Sequence, residues 1–352
     1  MKKIILTGGG TAGHVTPNIA LLPALNEAGY RVTYVGAHRG IEKELIEACG
    51  VEYKGISAGK LRRYFDLKNV SDAFRVVKGL SEAVKIIKKQ KPQVIFSKGG
   101  FVAVPVVMAG RLCNVPVVLH ESDITPGLAN RLSLPFVKTA CVTFPETLQY
   151  IPKNKARLTG TPIRQELFCG EREKGLSFCG LNEDKPIIMV MGGSSGSVKI
   201  NRMLHSCLND LLSEYQVIHI CGKGNVDSKQ ADGFKQFEYV TDMLPHLFAS
   251  ADIVVSRAGA NSISEFLALK KPALLIPLGK EVSRGDQILN ARSFSKQGYS
   301  RVLLEENMTP ESLLAEINYL HQNKEQLISA MSKSLANNAV EKVMEVILAA
   351  SE

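Results

Sequence analysis

No apolar run in this 352-residue chain approaches the roughly 20 residues needed to span a bilayer. From Met1-Lys2-Lys3 the sequence passes straight into a short apolar strand, too brief for the core of a secretion signal. The 7 cysteines contain no CxxC pair and no recurrent spacing, so reduced, buried thiols of a cytoplasmic chain are expected rather than a disulfide framework. Histidines are dispersed and no DxD pair occurs, which leaves no metal-ligand cluster to read. What is plentiful is apolar content, 45%, in a chain long enough for two domains with separate cores.

One stretch organises the rest. Ile4-Ile5-Leu6-Thr7 reads as a buried strand, Gly8-Gly9-Gly10-Thr11-Ala12-Gly13-His14 as a glycine turn, and about Asn18 to Glu27 as an amphipathic helix. Such a turn aims backbone N–H groups and a helix N-terminus at one point, where an anion can sit. The arrangement recurs: Ile187 to Met191 leads into Gly192-Gly193-Ser194-Ser195-Gly196, with a helix from about Lys199. Two such units predict two α/β domains facing a common cleft. The first glycines also fit GxGxxG, but the second strand, Arg31 to Gly36, ends in Gly36-Ala37-His38 without the acid that holds a dinucleotide ribose.

Charge is uneven. Residues 1–160 carry 23 Lys/Arg against 11 Asp/Glu, a net +12, and residues 161–352 carry 20 against 23, a net −3. The first half should therefore meet something negative. Much of the excess lies between Gly59 and Lys91, where Lys60, Arg62, Arg63, Lys68, Arg75 and Lys78 interleave with Leu67, Val70 and Phe74 at helical spacing. Either this is a solvated helix face over a core stripe, or it is a surface lying on anionic lipid. Nucleic acid is the weaker reading, because no binding module accompanies the patch.

Further on, the strand Val115 to Leu119 delivers His120-Glu121-Ser122-Asp123 to the sheet edge that carries ligands in open α/β folds. Asn130 follows in a turn and short helix, as a surface residue or a partner for a sugar hydroxyl. His14 is either an idle histidine near a helix start or a general base; Thr11 beside it would cap the helix or touch a phosphate. Gly160-Thr161-Pro162-Ile163-Arg164 closes the first domain, with Arg164 at a hinge surface or on a phosphate. In the second half, Phe237-Glu238-Tyr239-Val240 follows a strand, and Ile253 to Ser256 stops at Arg257-Ala258-Gly259-Ala260. Glu265 is then either a carboxylate in the first turn of a helix or a holder of ribose hydroxyls. Gln287 and Asn290 share one helix face.

The ordered set of these motifs resembles the MurG family of bacterial UDP-N-acetylglucosamine transferases of peptidoglycan synthesis, over essentially the whole chain. The resemblance implies a GT-B fold of two Rossmann-like domains, at 1–161 and 162–340, with 341–352 as a helix returning to the first. It implies UDP-GlcNAc as donor, no required cofactor, and inverting transfer to the C4 hydroxyl of MurNAc in lipid I. Val240 would hold the uracil through its backbone, Glu265 the ribose, and Gln287 and Asn290 the sugar. Arg164, Ser194, Ser195 and the loop residues Thr11, Ala12, Gly13, Arg257 and Ala260 would surround donor and acceptor. Asn130 and Asp123 would lie near the acceptor, although many family members have Asn where this chain has Asp123. His14 is the expected base, with Glu121 the alternative or the residue that orients His14. The basic, apolar segment would contact anionic phospholipid, placing the enzyme peripherally on the cytoplasmic face of the membrane beside cell-wall synthesis and division proteins, with no nucleic-acid partner. A diacylglycerol glycosyltransferase, a dinucleotide oxidoreductase and a non-catalytic lipid-binding protein are the competing readings.

Overall fold

The computed structural model describes residues 1–59, 68–193, 196–279, 281, 283 and 285–352, with the side chains of 68–73 outside the description. The chain forms two compact units, Met1–Arg164 with Leu335–Glu352, and Gln165–Ser334.

In the first unit seven strands form one parallel sheet: β1 (Lys2–Thr7), β2 (Tyr30–Ala37), β3 (Glu52–Ile56), β4 (Val94–Ser97), β5 (Val117–Glu121), β6 (Thr139–Val142) and β7 (Ala156–Leu158), in the order β3-β2-β1-β4-β5-β6-β7. Parallel strands are buried on both faces, which is why β1 reads as an unbroken apolar run. Its alternate residues divide between two cores. Ile4 and Leu6 pack with Tyr34, Phe96 and the C-terminal helix through Val343 and Ile347. Ile5 packs with Ile95, Leu119 and the helices that carry Ala83, Ile87 and Val106. That C-terminal helix, Ala339–Ser351, is pinned at its end by a hydrogen bond between Ser351 Oγ and Tyr30 Oη (2.7 Å). The expected single helix from Asn18 to Glu27 is two, Thr16–Ala20 and Leu22–Glu27. Pro23 has no N–H to continue the first ladder, and it is accepted in the opening turn of a new helix.

In the second unit six parallel strands, β8 (Ile187–Met191), β9 (Gln216–Ile220), β10 (Phe234–Phe237), β11 (Ile253–Ser256), β12 (Ala273–Leu275) and β13 (Ser300–Val302), run in the order β10-β9-β8-β11-β12-β13. One face of this sheet packs Ile188, Val190, Val255 and Leu274 against the helices that carry Leu204, Leu211 and Ile317. The strand β10 ends at Phe237, so that Tyr239 and Val240 lie in the loop leaving its C-terminal end.

In both sheets the order reverses beside the first strand, between β1 and β4 and between β8 and β11. At such a switch point the loops leave in opposite directions and open a crevice at the strands' C-terminal ends. Both glycine-rich turns stand there.

Candidate functional site

At the first switch point the loops after β1 and β4 touch. Gly100, with φ +86°, lies so close to the β1 loop that an added Cβ would stand 2.3 Å from Gly9 O. Tyr34 Oη donates to Gly8 O (2.8 Å), and Gly10 N–H donates to the buried Glu42 carboxylate (3.3 Å), so the turn is held from beneath. His14 ends a single turn of 3-10 helix, Ala12–His14, that Thr11 precedes. The Thr11 hydroxyl makes no cap; it meets His14 Nδ1 at 3.0 Å. Thr11 is exposed, and Ala12, Gly13 and His14 are half-buried.

β5 ends in His120 and Glu121, both buried. One Glu121 oxygen accepts from Asp123 N (3.0 Å), the other from Gly127 N (3.0 Å) and Asn130 Nδ2 (2.8 Å). Burial raises the pKa of this carboxyl, Asp123 adds to the rise, and the three donors work against it. Glu121 thus ties together the turn from 121 to 130, with both oxygens already engaged. Asn130, 6% exposed, also donates to His120 O (3.3 Å), and its Oδ1 is buried without a protein partner. Asp123 and Arg164 are half-buried. Two groups here escaped the sequence reading. Glu42 carries no local signal; Lys98 does, as a charged residue between a buried strand and Gly99-Gly100.

At the second switch point the turn after β8 is pressed against its surroundings: a Cβ on Gly192 would lie 2.3 Å from Ser197 N, and one on Gly196 2.2 Å from Cys221 O. Ser197 caps helix Val198–Ser206, accepting from Ile200 N (3.4 Å). Arg257, expected to touch substrate, turns inward. It donates to Ser197 Oγ (2.7 Å), Ile276 O (3.0 Å) and Glu305 Oε1 (2.5 Å), and is 8% exposed. Ala260 is the first residue of helix Ala260–Ala268, where backbone N–H groups lack intrahelical acceptors. Glu265 is the sixth residue, and no acid stands in the first turn, so the reading of Glu265 as a first-turn carboxylate is overturned. Helix Asp286–Lys296 is tied to two loops of the same edge: Gln287 Oε1 accepts from Leu278 N (3.1 Å), and the fully buried Asn290 approaches Ala258 O (3.5 Å). Val240 is 9% exposed.

Ser194 and Ser195 lie outside the described residues, as do Lys60, Arg62, Arg63 and Leu67; the side chains of Lys68 and Val70 lie outside the description as well. Further along helix Lys68–Gln90, Phe74 is 74% exposed beside the exposed Arg75 and Lys78, while Ala83 and Ile87 face the core. No described helix is long and apolar enough to cross a membrane.

Comparison with known proteins agrees with these motifs. Residues 4–142 match the glycosyltransferase family 28 N-terminal domain, and residues 187–347 the C-terminal domain of the same family. A Clostridium tetani protein named UDP-N-acetylglucosamine--N-acetylmuramyl-(pentapeptide) pyrophosphoryl-undecaprenol N-acetylglucosamine transferase is 57% identical over 348 residues, covering 98% of this chain and 97% of that protein. A protein of the same name from Lachnoclostridium phytofermentans is 56% identical over 349 residues, covering 99% of this chain and 98% of its own length. The fold matches the crystal structure of Acinetobacter baumannii MurG with a TM-score of 0.76 at 24% identity, over 99% of this chain and 100% of that one. With family 28 domains covering most of its length and relatives of one name aligned nearly end to end, the chain belongs to the MurG family of UDP-N-acetylglucosamine--N-acetylmuramyl-(pentapeptide) pyrophosphoryl-undecaprenol N-acetylglucosamine transferases.

Proposed function

We propose that this enzyme transfers GlcNAc from UDP-GlcNAc to the C4 hydroxyl of MurNAc in lipid I, inverting the anomeric centre and giving the β-1,4-linked product lipid II. The observation that carries the reading is the 56–57% identity, over nearly the full length, to transferases whose name states the donor, the acceptor and the group transferred. The second unit takes the donor. Backbone N–H groups of the Gly192–Gly196 turn and the N-terminal ends of helices Val198–Ser206 and Ala260–Ala268 meet the diphosphate, with Ser194 and Ser195 adding hydroxyls. Val240, Glu265 and Gln287 hold uracil, ribose and sugar, and the fully buried Asn290 fixes its helix against the loop after β11. Arg257 is given a different role from the one expected: it holds the cap residue Ser197 in place.

The first unit supplies the base. If Nδ1–H of His14 donates to Thr11 Oγ1, Nε2 carries the lone pair that accepts the C4 proton as the hydroxyl attacks. The displacement builds negative charge on the departing UDP, which the aligned N–H groups stabilise as it grows. Glu121 is buried and both its oxygens already accept from the turn it organises, so the base is His14 alone; Thr11, Ala12, Gly13, Asp123 and Asn130 shape the acceptor's surroundings. Lipid I is a membrane lipid, and the exposed Phe74, Arg75, Val77 and Lys78 on a helix whose Ala83 and Ile87 face the core support docking on the anionic cytoplasmic leaflet. Beyond donor, acceptor and lipid surface, the reaction so written calls for no further cofactor, and cell-wall and division proteins are its expected neighbours. Transfer of labelled GlcNAc to lipid I in detergent tests the reading. Transfer only to a different lipid acceptor would move the chain to another specificity.

A further inference from the structure

Ser197 closes the second glycine turn and is 7% exposed. A Cβ on Gly192, where the turn begins, would stand 2.3 Å from Ser197 N and 2.8 Å from Ser197 Cβ, so the serine packs directly on the segment assigned to the diphosphate. Its extended backbone (φ −145°, ψ 106°) lets the side chain fold back over helix Val198–Ser206. There Oγ accepts from Ile200 N (3.4 Å) and from Arg257 Nη2 (2.7 Å). A backbone N–H and a guanidinium can only donate, and a hydroxyl oxygen has two lone pairs and one hydrogen. Both lone pairs are therefore taken. What remains is the hydrogen, and Ser197 gives it to no acceptor among the described residues.

Arg257 is kept on Ser197 by its own surroundings. It is 8% exposed, its Nη1 donates to Ile276 O (3.0 Å), and its Nη2 also donates to Glu305 Oε1 (2.5 Å). The second Glu305 oxygen accepts from Lys199 Nζ (2.9 Å), in the first turn of the helix that Ser197 caps. Burial works to raise the Glu305 pKa, but the bonds from Lys199 and Arg257 outweigh it and hold the carboxyl below its ordinary range, so this acceptor is ionised. One carboxylate thus engages both cations, and the guanidinium meets the turn through the serine oxygen. The arrangement turns a side chain that can both donate and accept into one that can only donate.

We propose that Ser197 is a further binding residue for the donor, its hydroxyl giving the remaining hydrogen to a diphosphate oxygen of UDP-GlcNAc. This rests on the donor reading above. The test is calorimetric binding of UDP and, separately, of uridine to wild type, Ser197→Ala and Ser197→Gly, with KM for UDP-GlcNAc and for lipid I measured alongside. Alanine removes the hydroxyl and the helix cap together, whereas glycine removes the hydroxyl and leaves a serviceable cap. Glycine is also the variant that decides if alanine fails to fold. Both substitutions are expected to weaken UDP binding by about tenfold, the loss of one hydrogen bond to a charged group. The KM for UDP-GlcNAc should rise to match, with uridine affinity and the KM for lipid I unchanged. Uridine carries no phosphate, so a serine acting only as a cap would weaken both ligands together. UDP affinity kept in either folded variant, or equal losses for UDP and uridine, would overturn the proposal. A wild type that binds no UDP would instead remove the donor reading, and this inference with it.

Discussion

His14 and Arg257 are both basic side chains beside glycine turns, yet their surroundings assign them different work. His14 is half-buried on a single helical turn, with the Thr11 hydroxyl 3.0 Å from its Nδ1. Arg257 is enclosed, and its guanidinium donates to a cap serine, a backbone carbonyl and the Glu305 carboxylate. The family resemblance implied a role at the substrate for both, and charge next to a glycine turn does not reveal which way a side chain leaves the backbone. Two other histidines carry a consequence for stability. Burial holds His120 well below its usual pKa and, with His205 adding, lowers His219 to about 4. Both fold neutral, whereas unfolded they titrate near the ordinary value of about 6.5. Below that pH the unfolded chain binds more protons, so these residues make stability fall on acidification, by up to about 1.4 kcal/mol per pH unit each. Glu121, its pKa raised, works in the opposite direction, so the test isolates His219. Between pH 7.5 and 5, wild type should lose more stability to urea than His219→Gln, which can keep a bond to Asn201 Oδ1 (3.0 Å from His219 Nε2). Equal pH dependence in the two proteins would contradict the assignment.

At the scale of elements, the site is a product of strand order. Placing β1 between β2 and β4, and β8 between β9 and β11, brings each glycine turn to a switch point, and the turns survive only because no Cβ intrudes. Gly10 and Gly100 separate two meanings of a glycine. Both have φ near +86°, but Gly10 has open space where a Cβ would go, while Gly100 has Gly9 O. Gly10→Ala should cost only the left-handed backbone, about 1 kcal/mol. Gly100→Ala should cost about 2–3 kcal/mol and lower the transfer rate, because the Gly9 turn must move. Equal unfolding midpoints for the two variants would refute this contrast. The same reasoning marks what was legible. Apolar strands ending in Gly or in His-Glu-Ser-Asp were readable, since buried parallel strands leave continuous apolar runs and their ends collect polar chemistry. β3 was not read, because Glu52-Tyr53-Lys54-Gly55 lacks such a run and its place comes from pairing with β2. Nor was Glu42, which reaches the first turn from helix Ile41–Ala48 and has no sequence neighbour to announce it.

At the scale of the whole molecule, the excess charge of residues 1–160 and the exposed Phe74, Arg75 and Lys78 lie in the unit that is assigned the acceptor. Docking on anionic lipid then predicts salt-sensitive sedimentation with vesicles containing phosphatidylglycerol. The pair Arg75→Gln and Lys78→Gln should weaken it roughly 30-fold, at about 1 kcal/mol per charge. Binding that ignores both salt and the substitutions would assign this face to the solvated helix of the simpler reading. The central claim is the proposal that His14 is the single base of the transfer. Its most direct test is steady-state transfer of GlcNAc from UDP-GlcNAc to lipid I by wild type and His14→Ala. The account predicts robust transfer by the wild type and a loss of at least ~100-fold in kcat for the variant, with UDP affinity retained. A variant that turns over as fast as the wild type would contradict it.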